Sequence, residues 1–213
     1  GNGGGNNTLD GGTGTDVVFY NNVEYSAGIN VDLAAGTTTY AGGVETLIDI
    51  ENVTGSSGND TILGDANSNL MNGGTGNDTL DGGAGNDTYI SSSGTDALFS
   101  STGMDTYEVS GAAVVTVDFS YGIECADVNI ATLSIVNDGF GFSEFASITG
   151  TVTNIVGTDF NDALTGNAAN NTISGGAGND TIFGANNSFV VSNDVLNGGA
   201  GIDFLGGQDG DDI

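Results

Sequence analysis

A nine-residue period constrains this chain more than any other feature. Gly73–Asp81 reads Gly-Gly-Thr-Gly-Asn-Asp-Thr-Leu-Asp and runs directly into Gly82–Ile90, Gly-Gly-Ala-Gly-Asn-Asp-Thr-Tyr-Ile. Gly175–Phe183 repeats the pattern further along. With the acid set as position 6 and the apolar residue as position 8, residues 2–19, 55–108 and 157–213 hold fourteen repeats. Position 6 is Asp in eleven of them and Asn (Asn7, Asn69, Asn171) in three. Position 8 is Leu, Val, Ile, Met or Tyr in all thirteen repeats that reach it. A disordered Gly/Asn/Asp tract would not hold two phases at once.

Gly tolerates positive φ, so Gly-Gly-x-Gly makes a tight turn, and the Asp at position 6 adds a carboxylate to its concavity. The x-U-x that follows, with U the apolar residue, is a three-residue strand with U pointing inward. Two nonapeptides close one coil, so turns on one side recur every 18 residues and stack at the strand spacing of about 4.8 Å. This places Asp60, Asp78 and Asp96 on one edge of the second block and Asn69, Asp87 and Asp105 on the other. In the third block the edges are Asp162, Asp180 and Asp203, and Asn171, Asp194 and Asp212. The order holds if the five extra residues of the repeat at 184–197 bulge out as a loop. Asp16 belongs to the first block. Stacked carboxylates and carbonyls offer six to eight hard, flexible oxygens, the chemistry of Ca²⁺ rather than of Mg²⁺. Sites that use Asn69 or Asn171 lack one charge and are expected to be weaker or absent.

The charge points the same way. The chain has 28 acids, no Lys, Arg or His, and a net charge of −28. Nucleic-acid binding is excluded, because no cation is present to meet phosphates. An anionic membrane surface would repel the chain unless a divalent cation bridged the two. Cations must take up much of the charge for it to fold, and about ten Ca²⁺, one per stacked pair, would cancel roughly 20 charges. Catalysis is not expected: there is no His, Lys or Arg for acid–base or oxyanion roles and no nucleophile motif. Cys125 is alone and reads as a small buried hydrophobe. No apolar run is long enough to span a membrane. The start at Gly1 without Met, and the lack of a visible signal peptide, read as a fragment of something longer.

The expected organisation is the end of a first roll (1–19), a β spacer (20–54), a roll (55–108), a β spacer with a hairpin (109–156) and a roll (157–213). Ile29–Leu33 and Val115–Phe119 alternate apolar and polar, as strands do. Leu133–Val136 and Phe140–Phe145 flank Asn137-Asp138-Gly139, read as a hairpin turn. Asn52-Val53-Thr54-Gly55 and Asn154-Ile155-Val156-Gly157 match at an offset of 102 residues. No amphipathic helix is visible. The fold class is all-β, a parallel β-roll or β-solenoid interrupted by wider β spacers.

These repeats resemble the RTX family, whose Gly-Gly-x-Gly-x-Asp-x-U-x unit forms a calcium-loaded parallel β-roll. The resemblance implies ligands at the position-6 Asp carboxylates and at carbonyls of positions 1 and 3: Gly55, Ser57, Gly73, Thr75, Gly82, Ala84, Gly175, Ala177, Gly198 and Ala200. Asn67, Phe160, Ala169 and Ser192 depart from it by standing where position 4 expects Gly. It further implies a bacterial protein exported through type I secretion that folds on meeting external calcium. The expected role is a structural or adhesive extracellular segment of a large secreted protein, with a folding module of a secreted enzyme as the alternative. Calcium ions are the expected partners. No membrane insertion is expected, and open β edges where both ends cut a roll suggest end-to-end self-association into fibres or layers.

Overall fold

The computed structural model describes residues 5–100, 102–111, 113–122, 126–129, 134–138, 146–149, 151–185 and 191–213, with the backbone alone considered within 126–149. The chain forms two compact units, Gly1–Ala113 and Val114–Ile213.

The first unit carries β1 (Thr8–Asp10), β2 (Val17–Phe19), β3 (Ile29–Asp32), β4 (Thr37–Tyr40), β5 (Gly43–Ile48), β6 (Asn52–Thr54), β7 (Thr61–Asp65), β8 (Leu70–Asn72), β9 (Thr79–Gly83), β10 (Thr88–Ser91), β11 (Thr95–Phe99) and β12 (Thr106–Val109). They lie in two sheets, ordered β1-β5-β4-β3-β7-β9-β11 and β2-β6-β8-β10-β12. Successive coils pair in parallel and in the expected register: Ile62 faces Leu80 and Leu80 faces Leu98 on one sheet, while Met71 faces Tyr89 and Tyr89 faces Tyr107 on the other. The cause is local. Each strand carries one inward apolar residue flanked by Thr or another strand-tolerant residue, and it is too short to bury anything except by stacking on the coil beside it.

Position 8 is therefore the core. Ile62, Met71, Leu80, Tyr89, Leu98 and Tyr107 are all 0 % exposed. Burying each contributes roughly 1.5–3 kcal/mol. The rings of Tyr89 and Tyr107 stack at 4.9 Å. The spacer is built into the same sheets. β3, β4 and β5 form an antiparallel meander, with β3 pairing β7 and β5 pairing β1. β2 meets β6 directly. The meander thus widens one sheet without widening the other, and Tyr20, Tyr25 and Tyr40 pack edge-to-face beside it, at centroid distances of 5.0 and 4.8 Å. Tyr25 ends a 3₁₀ turn, Val23–Tyr25.

The second unit carries β13 (Val114–Asp118), β14 (Ala126–Asn129), β15 (Ser134–Asp138), β16 (Ala146–Thr149), β17 (Asn154–Val156), β18 (Ala163–Thr165), β19 (Thr172–Ala177), β20 (Thr181–Phe183), β21 (Val195–Ala200) and β22 (Phe204–Gly206). Its sheets are ordered β13-β17-β19-β21 and β16-β15-β14-β18-β20-β22. Ile155 faces Ile173, which faces Leu196, and Leu164 faces Ile182, which faces Leu205. The five extra residues thus leave the register of the flanking strands intact; residues 186–190 themselves lie outside the described set.

One local reading is corrected. Asn137 and Asp138 are not turn residues but strand residues of β15, opposite Asp127 and Ala126 of β14. β15 also pairs with β16. Cross-strand pairing overrides the turn preference of Asn-Asp, which is weaker than that of Asn-Gly. Gly139 and Phe140–Phe145, the other half of that expectation, lie outside the described residues, as does Cys125.

Candidate calcium site

The position-6 residues form ladders along the roll edges. The amide of Asp60 donates to Asp78 Oδ1 at 2.9 Å, and that of Asp78 to Asp96 Oδ1 at 2.9 Å. On the other edge Asn69 donates to Asp87 Oδ1 at 2.8 Å and Asp87 to Asp105 Oδ1 at 2.9 Å. The second unit repeats this: Asp162 to Asp180 at 2.9 Å, Asp180 to Asp203 at 3.0 Å, Asn171 to Asp194 at 2.8 Å, and Asp194 to Asp212 at 2.9 Å. All four edges read from the 18-residue spacing are present, two of them across the longer repeat. From Asp60 to Asp105 and from Asp162 to Asp194 these side chains are buried. Asp16, Asp203 and Asp212 are half-buried.

Oδ1 is engaged by the ladder, whereas Oδ2 of Asp78 and of Asp180 is buried and accepts no hydrogen bond. The first glycine of the turn faces that oxygen. A Cβ on Gly73 or Gly175 would collide with Oδ2 of Asp78 or Asp180. Gly55, Gly82 and Gly198 stand in the same way against Asp60, Asp87 and Asp203. The fourth-position glycine has a different cause: Gly94, at φ +114°, leaves no room for a Cβ against the Gly76 carbonyl one coil away. The position-3 residues sit at the turn tips. Ser57 is exposed; Thr75 bridges to Ser93, Ala84 to Thr102, and Ala177 pairs with Ala200.

The turns that depart from Gly at position 4 are closed by side chains. At position 2, Asp65 Oδ1, Thr158 Oγ1 and Asn167 Oδ1 accept the amides of Asn67, Phe160 and Ala169 at 2.8, 3.0 and 2.8 Å. These are Asx and Ser/Thr turns. Ser192 instead donates its hydroxyl to Asp194 Oδ2 at 3.0 Å. In the first turns of both blocks the position-6 acid is also satisfied locally. Asp60 accepts from the Ser56 amide and hydroxyl and from the Ile29 amide, and Asp162 from the Thr158 amide and hydroxyl. Hydrogen bonds hold these opening turns, while the turns at Gly73 and Gly175 leave Oδ2 of Asp78 and Asp180 bare.

Electrostatics sharpen the difference. Burial raises the Asp78 carboxyl to about 7; the Asp60 amide opposes the rise, and the charges of Asp96 and Asp60 add to it. Asp60 and Asp180 are raised too, chiefly by burial. A buried carboxylate without a cation favours its neutral form. Among the described residues no three carboxylates converge on one point. A site must therefore join carboxylates from neighbouring turns with other oxygens, as the six- to eight-oxygen shell of calcium permits. The donor set fits that ion: hard oxygens only, Oδ2 atoms left bare, and a cradle that any side chain at position 1 would fill.

Two features lie outside the sequence reading. Asparagines at position 5 form a second ladder running the opposite way, in which Asn77 and Thr95 donate to Asn59 and Asn77 Oδ1, both at 2.9 Å. Asn179 and Ile202 do the same onto Asn161 and Asn179. The recurring Asn-Asp pair was its visible signal. The other feature is Glu51. Val17 faces Asn52 and Val53 faces Met71, which puts Glu51 at position 6 between Asp16 and Asn69. The Asp16 amide donates to Glu51 Oε2 at 2.8 Å, and Asn69 Nδ2 to the Glu51 carbonyl at 2.7 Å. Its signal was Glu51-x-Val53, acid and apolar residue in phase but without glycine.

A calcium-binding β-roll is thus the class of protein that fold and site define. The family model for the RTX calcium-binding nonapeptide repeat (4 copies) matches residues 3–22, 48–74, 63–98, 156–188 and 192–213. These stretches cover more than half of the chain, and it belongs to the RTX calcium-binding repeat family. The match from residue 48 takes in Glu51. No curated protein matches the chain.

Proposed function

We propose that this chain is a calcium-triggered folding segment of an extracellular bacterial protein, with a structural or adhesive role. One observation carries the reading: Asp78 and Asp180 each bury a carboxylate oxygen without a partner, in a chain that has no Lys, Arg or His to supply a charge. Only cations from outside can let such a roll close fully charged. Where free calcium is scarce the chain stays open, and where it is plentiful ion binding becomes folding free energy. That difference matches the step from cytosol to exterior. The acid pairs are read as non-catalytic, because their amides and carboxylates are committed to the ladder. Among the described residues no helix is long and apolar enough to cross a membrane.

Limited proteolysis tests the trigger. An endoprotease that cuts before Asp is expected to fragment the chain in chelator and to leave it intact in millimolar calcium. Equal resistance in both would contradict the reading. Hydrolysis of peptide, ester or glycoside substrates by the calcium-loaded chain would contradict its non-catalytic part.

A further inference from the structure

The meander holds a carboxylate outside the nonapeptide frame. β5 pairs with β1 so that Thr46 faces Thr8 and Leu47 faces Leu9. Glu45 therefore stands at the level of Asn7, a position-6 residue, with Leu47 at the level of position 8. On its other side it faces Thr38 of β4. The Glu45 side chain is 0 % exposed. Its Oε1 accepts from Asn7 Nδ2 at 3.2 Å and from the Tyr25 hydroxyl at 3.3 Å. Its Oε2 is buried and accepts no hydrogen bond. This is the state of Asp78 and Asp180: one oxygen engaged, the other buried and bare.

A second carboxylate stands near. The 3₁₀ turn places Glu24 next to Tyr25, and Glu24 Oε1 is also buried without a hydrogen bond. Both acids act on Tyr25, whose hydroxyl is pushed well above the usual phenol range, first by burial, then by Glu45 and Glu24. Tyr25 thus remains a neutral oxygen among negative ones. The chain has no cationic side chain to set against the bare oxygens of Glu45 and Glu24. A cavity of about 540 Å³, lined by Glu45, Tyr20, Tyr25, Leu9 and Val18, opens beside Glu45.

We propose that Glu45 and Glu24, beside the Tyr25 hydroxyl, hold a hard divalent cation at a site of their own, outside the Gly-Gly-x-Gly-x-Asp turns. Two carboxylates, a phenol oxygen and water supply the all-oxygen shell that calcium takes. The site pins the 3₁₀ turn to the meander and the meander to β1. The proposal rests on the calcium reading of the family repeats, and ion counting separates the two. Native mass spectrometry of the full chain in calcium is expected to show one ion fewer for Glu24→Gln and for Glu45→Gln than for the unaltered chain. An unchanged count in Glu24→Gln overturns the proposal, and it decides the matter if Glu45→Gln does not fold. Absence of bound calcium from the unaltered chain would overturn the family reading instead.

Discussion

Asp78→Asn and Asp180→Asn are each expected to raise the calcium concentration needed for folding about tenfold or more, whereas Asp159→Asn leaves it unchanged. A hydrogen bond to a charged group is worth about 1.5–3 kcal/mol, and about 1.4 kcal/mol is already tenfold. The substitution keeps the size of the side chain, so packing does not confuse the result. It removes the charge that faces the bare oxygen's surroundings and weakens the ladder bond from Asp60 or Asp162. Asp159 is exposed at its turn tip and serves as the control. Tyrosine fluorescence against free calcium reads the midpoint, since Tyr89 and Tyr107 are stacked in the core and the chain has no Trp. Equal midpoints for all three variants would remove Asp78 and Asp180 from the site.

Acid is expected to stabilise the roll without calcium and to destabilise it with calcium. Burial raises Asp78 from the ordinary carboxylate value of 3.8 to about 7 in the metal-free fold, while the carboxylates of Asp60 and Asp96 face it along the ladder. Between these values the folded chain holds a proton that the unfolded chain has released. The contribution to stability is therefore fully present below about pH 4 and is lost as pH rises through about 7. Asp60 and Asp180 shift in the same direction and add to it. Calcium needs these carboxylates ionised, so its binding releases protons and the trend inverts. Thermal melts between pH 4 and pH 8 are expected to show the melting temperature falling with pH in chelator and rising in millimolar calcium. Parallel trends in the two buffers would contradict the assignment of these acids.

The roll was legible in the sequence because two requirements repeat in one frame. Position 6 must give an oxygen and position 8 must fill the core, and no repeat breaks either rule. That sets the edges Asp60–Asp78–Asp96 and Asp162–Asp180–Asp203. The glycines were a poorer guide. Asn67, Phe160 and Ala169 stand where glycine was expected, yet their turns close, because Asp65, Thr158 and Asn167 accept the amides that glycine geometry would otherwise place. Glu45 was hidden for the opposite reason: it keeps phase with the ladder in space through a meander while standing outside the nine-residue frame in sequence, whereas Glu51 lies in that frame, nine residues before Asp60, and lacked only the glycines. A period counted along the chain cannot see a register set by antiparallel pairing. Asn137-Asp138 failed in the same way, as sheet pairing outweighed a local turn preference.

Far-UV circular dichroism of the full chain at neutral pH, titrated from chelator to 10 mM Ca²⁺ with Mg²⁺ as control, tests the central claim most directly. A large gain of β-signal with calcium and little with magnesium is the expected result. A full β-spectrum already present in chelator would contradict it.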